Sequence, residues 1–228
     1  MTLSEKNKLF GTPSKGGNNI IDLRSELPFK WVYKDGAGKI INSNYSIMIN
    51  KNAKYNFINA CNAVWNLATR LSPANPMTYI EKNNWNVTAG CFVYRYIANT
   101  TTLSNHSWGT AIDIDSVHNP WKNPLTTTFS KDFVNCWKSN GFGWGGDYKN
   151  TKADPMHFEI ESVKSKTLVE LVKNQSNEEL KIIEAKVDKL ISKFGFTEEG
   201  KQGWIDKLAG KKQVSTSELN AFVDKVIK

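Results

Sequence analysis

Residues 104–115 read SNHSWGTAIDID, and the second half of this stretch alternates. In an extended chain Ile112 and Ile114 fall on one side, and Ala111, Asp113 and Asp115 on the other. A short strand over 110–115 is expected, its isoleucines toward a core and Asp113 toward a cleft. His106 lies on the segment entering that strand, seven residues before Asp113. The small residues Gly109 and Ala111 between them allow the backbone to approach closely, so that His106 can curl back toward Asp113.

A second stretch, DPMHFE at 154–159, has a related texture. His157, Glu159 and Glu161 alternate with Met156, Phe158 and Ile160, which predicts a final strand over 156–161. Asp154 sits in the loop before it, three residues ahead of His157. Two imidazoles and a carboxylate, from His106, His157 and Asp113, make three protein ligands. A catalytic zinc site commonly has that number and keeps a fourth position for water. A metal so held polarises a carbonyl and lowers the pKa of water. Amide hydrolysis also needs a carboxylate to take the water's proton and hand it to the leaving amine, and Asp154 is the candidate. A solitary histidine is more often a structural hydrogen-bonder than a ligand. Two of the three histidines each stand beside a carboxylate at a strand edge, and that pairing points to a metal. The third, His118 in SVHNPW, has no such partner in the sequence and reads as a turn residue or as part of the cleft lining.

Working outward, the first twenty or so residues are rich in Gly, Ser, Asn and Lys and read as an extended arm or linker. FKWVYKD and IINSNYSIMIN read as strand-prone runs around a glycine turn. In KNAKYNFINACNAVWNLATRL the apolar residues Phe57, Ala60, Cys61, Val64, Trp65 and Ala68 recur at three and four, a helix face that SPANP ends. VTAGCFVYRYIA at 87–98 reads as strand, SKDFVNCWKSN at 130–140 as helix closed by Gly141, and GWGGDYKNTKADP as loop. After about residue 165 proline disappears and lysine and glutamate rise. A capping box at Ser176 and Glu179 opens a helix with Leu180, Ile183, Val187, Leu190 and Phe194 on one face, and two shorter helices follow. The predicted organisation is an arm at 1–25, a main domain at 26–164 and a three-helix region at 165–228. That last region is read as a packing or dimerisation appendage or as a wall-targeting or virion-anchoring module.

Eight tryptophans and eleven phenylalanines among 228 residues are ample for a packed core. The formal charge of +8 fits either a solvated lysine-rich surface or an anionic partner such as a bacterial envelope. The lysines are dispersed and no arginine-rich block or helix-turn-helix pattern occurs, so nucleic acid is not expected. Cys61, Cys91 and Cys136 are odd in number and show no C-x-x-C, which predicts buried thiols and not a disulfide framework or cysteine zinc site. No stretch is apolar enough over the length needed to span a bilayer. MTLSEKNKLFGTPSKGGNN lacks an apolar core and cleavage pattern, so synthesis in a cytoplasm without a secretory signal is expected. Trp108, Trp121 and Trp144 cluster around the two motifs and suit flat walls for a glycan or peptide, or core packing.

Taken together, LSNHSWGTAIDID resembles the S-x-H-x-x-G-x-A-x-D signature of the VanY-type zinc peptidases. These are the D-Ala-D-Ala carboxypeptidases and dipeptidases, with the L-alanyl-D-glutamate endopeptidases of bacteriophage lysins. DPMHFE resembles their second motif, Arg95 in CFVYRYIA matches the arginine upstream of the first, and NGFGWGGDY is similar to the loop before the second. The resemblance spans roughly residues 75–162. It implies an α+β fold of the hedgehog/D-Ala-D-Ala peptidase type, a small antiparallel sheet carrying the site with helices packed on one side. It implies one Zn2+ per chain on His106, Asp113 and His157, with Asp154 as general base. Arg95 would contact the substrate and stabilise the oxyanion, or else form a surface salt bridge. Ser104 would hydrogen-bond near the substrate, orient the His106 loop, or be a plain turn serine. Trp108 and Trp144 are carried as substrate-binding candidates.

The reading expected from all this is a zinc metallopeptidase that cuts the stem peptide of bacterial peptidoglycan. It would be an endopeptidase or D,D-carboxypeptidase acting as a phage endolysin or carried in a virion. The N-terminal arm or C-terminal helices are the expected contacts to virion proteins. The alternatives are a non-catalytic, metal-containing wall-binding or virion structural protein, and a D,D-dipeptidase that edits wall precursors inside the cell.

Overall fold

The computed structural model of the chain describes residues 1–35, 37–149 and 153–163, and the helical region expected over 165–228 lies outside them. In chain order the described elements begin with helix α1 (Leu3–Phe10) and strands β1 (Ile20–Asp22), β2 (Tyr33–Lys34), β3 (Ile40–Asn42) and β4 (Met48–Asn50). Helices α2 (Lys54–Leu71) and α3 (Pro76–Lys82) follow, then β5 (Thr88–Gly90), β6 (Ala111–Ile114), α4 (Lys131–Lys138), β7 (Phe142–Trp144) and β8 (His157–Ile160). β1 pairs with β4 and β2 with β3, while β5-β6-β8-β7 form a four-stranded antiparallel sheet. Helices beside small antiparallel sheets make this an α+β architecture.

Hydrophobic periodicity explains how the layers meet. The α2 positions spaced by three and four, Phe57, Ala60, Cys61, Val64 and Ala68, are all fully buried. They share one core with Ile112 and Ile114 of β6, Phe133 and Trp137 of α4, and Phe158 and Ile160 of β8. Aromatic rings lock the layers together: Phe57 meets Trp137 and Phe142 edge-on, and Phe133 meets Phe158 at 6.1 Å and 85°. The helices therefore cover one face of the four-stranded sheet. The alternate residues of β6 and β8, including Asp113 and His157, are left on the other.

Three expectations are corrected. The first concerns the arm at 1–25. Leu3–Phe10 is a helix with a complete capping box between Thr2 and Glu5, a T-x-x-E signal that stands in the sequence. Phe10 is 2% exposed, and its carbonyl accepts from Asn50 Nδ2 at 2.9 Å. The Phe10→Ala variant is expected to lose about 3–5 kcal/mol of stability, the usual cost of removing a buried phenyl ring, measured by chemical denaturation. A variant of unchanged stability would show that α1 is detachable.

The second concerns the strand expected over 87–98, of which only Thr88–Gly90 is strand. Beyond it the backbone finds its partners mostly in the His106 loop, with one antiparallel bridge between Tyr96 and Leu103, and not in a regular ladder. Val93 N–H donates to His106 O, Arg95 N–H donates to Ser107 Oγ at 3.0 Å, and Arg95 O accepts from Ser104 N–H at 3.0 Å. The third concerns GWGGDY, expected as loop, which begins inside β7 as the edge strand beside β8.

Candidate metal centre

Strand register brings the two motifs together. Asp113 of β6 lies directly opposite His157 of β8, and side chains directly opposite on an antiparallel pair share a face. His106 comes from a 3-10 turn, Asn105–Trp108, that Ser104 caps and Gly109 closes in the left-handed region at φ 65°. A Cβ on Gly109 would lie 2.6 Å from Ile20 Cδ1 and 2.9 Å from the Asn50 backbone nitrogen. Glycine is therefore required here by the β1–β4 pair packed against it, and not as clearance around an ion.

His106, Asp113 and His157 converge. The Asp113 carboxylate lies 3.2 Å from His106 Nε2 through Oδ2 and 2.9 Å from His157 Nδ1 through Oδ1. The two ring nitrogens are 3.3 Å apart. Ligands about 2.0–2.1 Å from a tetrahedral ion lie roughly 3.3 Å from one another, so one ion fits among these atoms. The donor set, two imidazole nitrogens and one carboxylate oxygen, suits zinc and similar divalent metals. His106 is 2% exposed and its far nitrogen, Nδ1, meets Cys91 O at 2.7 Å. The far nitrogen of His157, Nε2, meets Glu159 Oε2 at 3.3 Å.

The electrostatics favour a charged pair. Burial works to raise the Asp113 carboxyl, but hydrogen bonds from His106 and His157 outweigh it and hold the carboxyl well below the usual range. Burial opposes protonation of His157, yet hydrogen bonds to Asp113 and Glu159 and their charges raise it to about 10. Without metal, His157 therefore holds a proton at neutral pH, and a metal ligand must be the neutral ring. Metal uptake at pH 7 to 8 is expected to release one proton. Apparent affinity should then rise about tenfold per pH unit until pH approaches the His157 value. Calorimetric titration in buffers of different ionisation enthalpy reads the proton directly, and uptake with no buffer dependence contradicts this.

Asp154 approaches the cluster through the turn between β7 and β8. Its N–H donates to Gly145 O at 3.0 Å, and its carbonyl accepts from His157 N–H at 3.0 Å. A side chain at Gly145 would collide with the Asp154 backbone, so this glycine sets the approach. Asp154 Oδ1 is buried without a hydrogen-bond partner among the described residues. Burial raises the carboxyl above its ordinary value, His157 opposes that, and Asp113, His106 and Arg95 also act on its charge.

The remaining candidates separate. Arg95 is exposed on an irregular hairpin that closes through Ile97 and Thr102, with its backbone clamped by Ser107. Ser104 is 5% exposed, and its hydroxyl accepts from His106 N–H, so it shapes the His106 loop. Trp108 is 3% exposed: it is core, with its Nε1–H donating to Asn7 Oδ1 at 3.1 Å, and cannot be a wall of the cleft. Trp144 is half-buried, donates to Pro155 O at 2.7 Å and stacks on Phe158, so it braces the Asp154 loop. Trp121 is 54% exposed. His118 does have a carboxylate partner, Asp115, at 2.8 Å. It lines an open cavity of about 280 Å³ with Lys34, Thr88 and Ala89. Sequence reasoning missed Cys91 and Ser107, which act through main-chain contacts that no motif encodes.

A family model described as D-alanyl-D-alanine carboxypeptidase matches residues 98–160. The matched span contains His106, Asp113, Asp154 and His157 and leaves Arg95 outside. No solved structure matches the chain.

Proposed function

We propose that this protein is a zinc-dependent peptidase that hydrolyses a peptide bond in the stem of bacterial peptidoglycan, as an endopeptidase or a D,D-carboxypeptidase. The reading includes the hedgehog/D-Ala-D-Ala peptidase fold and service as a phage endolysin or a virion-carried wall hydrolase. One observation carries it: a cluster of three possible ligands, with Asp154 keeping one buried carboxyl oxygen without a hydrogen-bond partner among the described residues and interacting through its charge with His157, Asp113 and His106. A purely structural metal site has no use for such a carboxylate, which weighs against a non-catalytic wall-binding protein. The family match over 98–160 supports the same chemistry, and the charge of +8 suits an anionic wall.

His106 Nε2, Asp113 and His157 Nδ1 would hold the ion. When bound, it supplies a Lewis acid that polarises the scissile carbonyl and acidifies water. Asp154 takes the proton of the attacking water as its oxygen bonds to the carbonyl carbon. Asp154 returns that proton to the amine nitrogen as the C–N bond breaks, and burial, which raises the carboxyl, favours its holding the proton in between. Arg95 offers an exposed guanidinium to a carboxylate or carbonyl of the peptide. Among the described residues no helix is long and apolar enough to cross a membrane.

Digestion of purified sacculi of known stem composition, followed by mass spectrometry of the released fragments, tests this reading. New amine termini at one bond, lost on chelation and regained with zinc, are expected. Bound zinc with no cleavage would instead favour the non-catalytic protein, and turnover confined to free D-Ala-D-Ala would favour a precursor-editing dipeptidase.

A further inference from the structure

We propose that Glu159 is a positioning residue that holds the His157 imidazole from behind, and that helix α1 sets Glu159 in place through Asn105. The inference rests on reading His106, Asp113 and His157 as a metal site.

Strand alternation puts His157 and Glu159 on one face of β8, with Phe158 and Ile160 in the core. The residue opposite Glu159 on β6 is Ala111, whose methyl group leaves the carboxylate room to lie along the sheet. The two nitrogens of His157 are thereby divided between two tasks. Nδ1 faces Asp113 and His106, and Nε2 faces Glu159 Oε2 at 3.3 Å. A carboxylate at Nε2 keeps a proton there, leaves the Nδ1 lone pair for the ion and makes the ring a stronger donor.

Glu159 is itself held on both oxygens. Oε2 accepts from Asn105 Nδ2, and Oε1 accepts from the Tyr148 hydroxyl at 3.3 Å. Asn105 is the neighbour of His106 in the same turn, and its Oδ1 accepts from Lys6 Nζ of α1 at 2.5 Å. Lys6 also lies 5.6 Å above the Trp108 ring, whose Nε1–H bonds to Asn7. Thus α1 grips the His106 turn at Asn105 and Trp108. One amide, Asn105, links its ammonium to the carboxylate behind His157. With its side chain only 22% exposed, Glu159 needs such partners to remain in one orientation.

The test is metal affinity of the full chain, by competition with a chromophoric chelator. It is read alongside the visible spectrum of the cobalt-substituted protein and thermal unfolding of the metal-free form. Glu159→Leu is expected to weaken zinc binding ten- to hundredfold and to alter the cobalt spectrum. Glu159→Gln keeps an acceptor oxygen but not the charge, and should lose less. Lys6→Met should shift affinity in the same direction by a smaller factor. If Glu159→Leu fails to fold, Glu159→Gln decides: weakened binding supports the role and unchanged binding refutes it. A folded Glu159→Leu with wild-type affinity and spectrum overturns the inference and leaves the metal site standing. An unaltered chain that takes up no metal removes the metal site and this role together.

Discussion

Asp154→Asn is expected to abolish measurable peptidoglycan cleavage, a loss of about two to four orders of magnitude, while zinc binding stays as in the unaltered chain. The substitution keeps size and shape, so the loop held by Gly145 and His157 through the Asp154 backbone has no reason to move. What it removes is the proton acceptor. The Asp154 carboxylate has an unpartnered, buried oxygen near the cluster, and burial keeps its proton affinity above that of a surface aspartate. An amide there cannot take the water's proton or return it to the leaving amine. Release of stem-peptide fragments from sacculi by the Asn variant at the unaltered rate would remove Asp154 from the chemistry. Loss of bound zinc in the same variant would show that it acts on the site's assembly.

The second large effect is removal of the ion. Chelation, or His157→Ala, is expected to reduce cleavage to background, and zinc added back should restore the chelated protein but not the variant. His157 lies opposite Asp113 in register and within 3.3 Å of His106 Nε2, so its loss leaves two ligands where three are needed. The fold should survive, because the face of the sheet that makes the core is carried by Ile112, Ile114, Phe158 and Ile160. Zinc content by elemental analysis, with circular dichroism as the control for folding, separates the possibilities. Full activity of His157→Ala on purified sacculi would refute the metallopeptidase reading outright.

Much of the candidate site is legible in the sequence, because its residues are chosen by local rules. Alternation in AIDI and HFEI says which side chains leave the core, and both strands form where that alternation places them. The periodic apolar face of α2 is legible for the same reason. Legibility failed where backbone groups are satisfied by distant partners. Residues 91–98 carry β-branched and aromatic side chains, yet their hydrogen bonds run to Thr102, Ser104, His106 and Ser107 and leave one antiparallel bridge, Tyr96 with Leu103, in place of the expected strand. Trp108 sits within the ligand motif but is sealed under α1. Nothing in the residues around Trp108 announces a helix a hundred positions earlier. The α1 capping box, by contrast, could have been read from Thr2 and Glu5.

By itself, then, the sequence determined the identities of the donors and the faces on which they stand. Residue type decides which atoms can hold an ion, and the two-residue period of a strand decides which side they project from. Only the tertiary structure decided that the donors meet, which requires the β6–β8 register that sets Asp113 opposite His157. A shift of one residue would turn each side chain to the other face. It also decided what stands behind them: Cys91 O on His106, Glu159 on His157, and through Asn105 the ammonium of Lys6. Those contacts join segments far apart in the chain, and packing brings them together with no local pattern to record it.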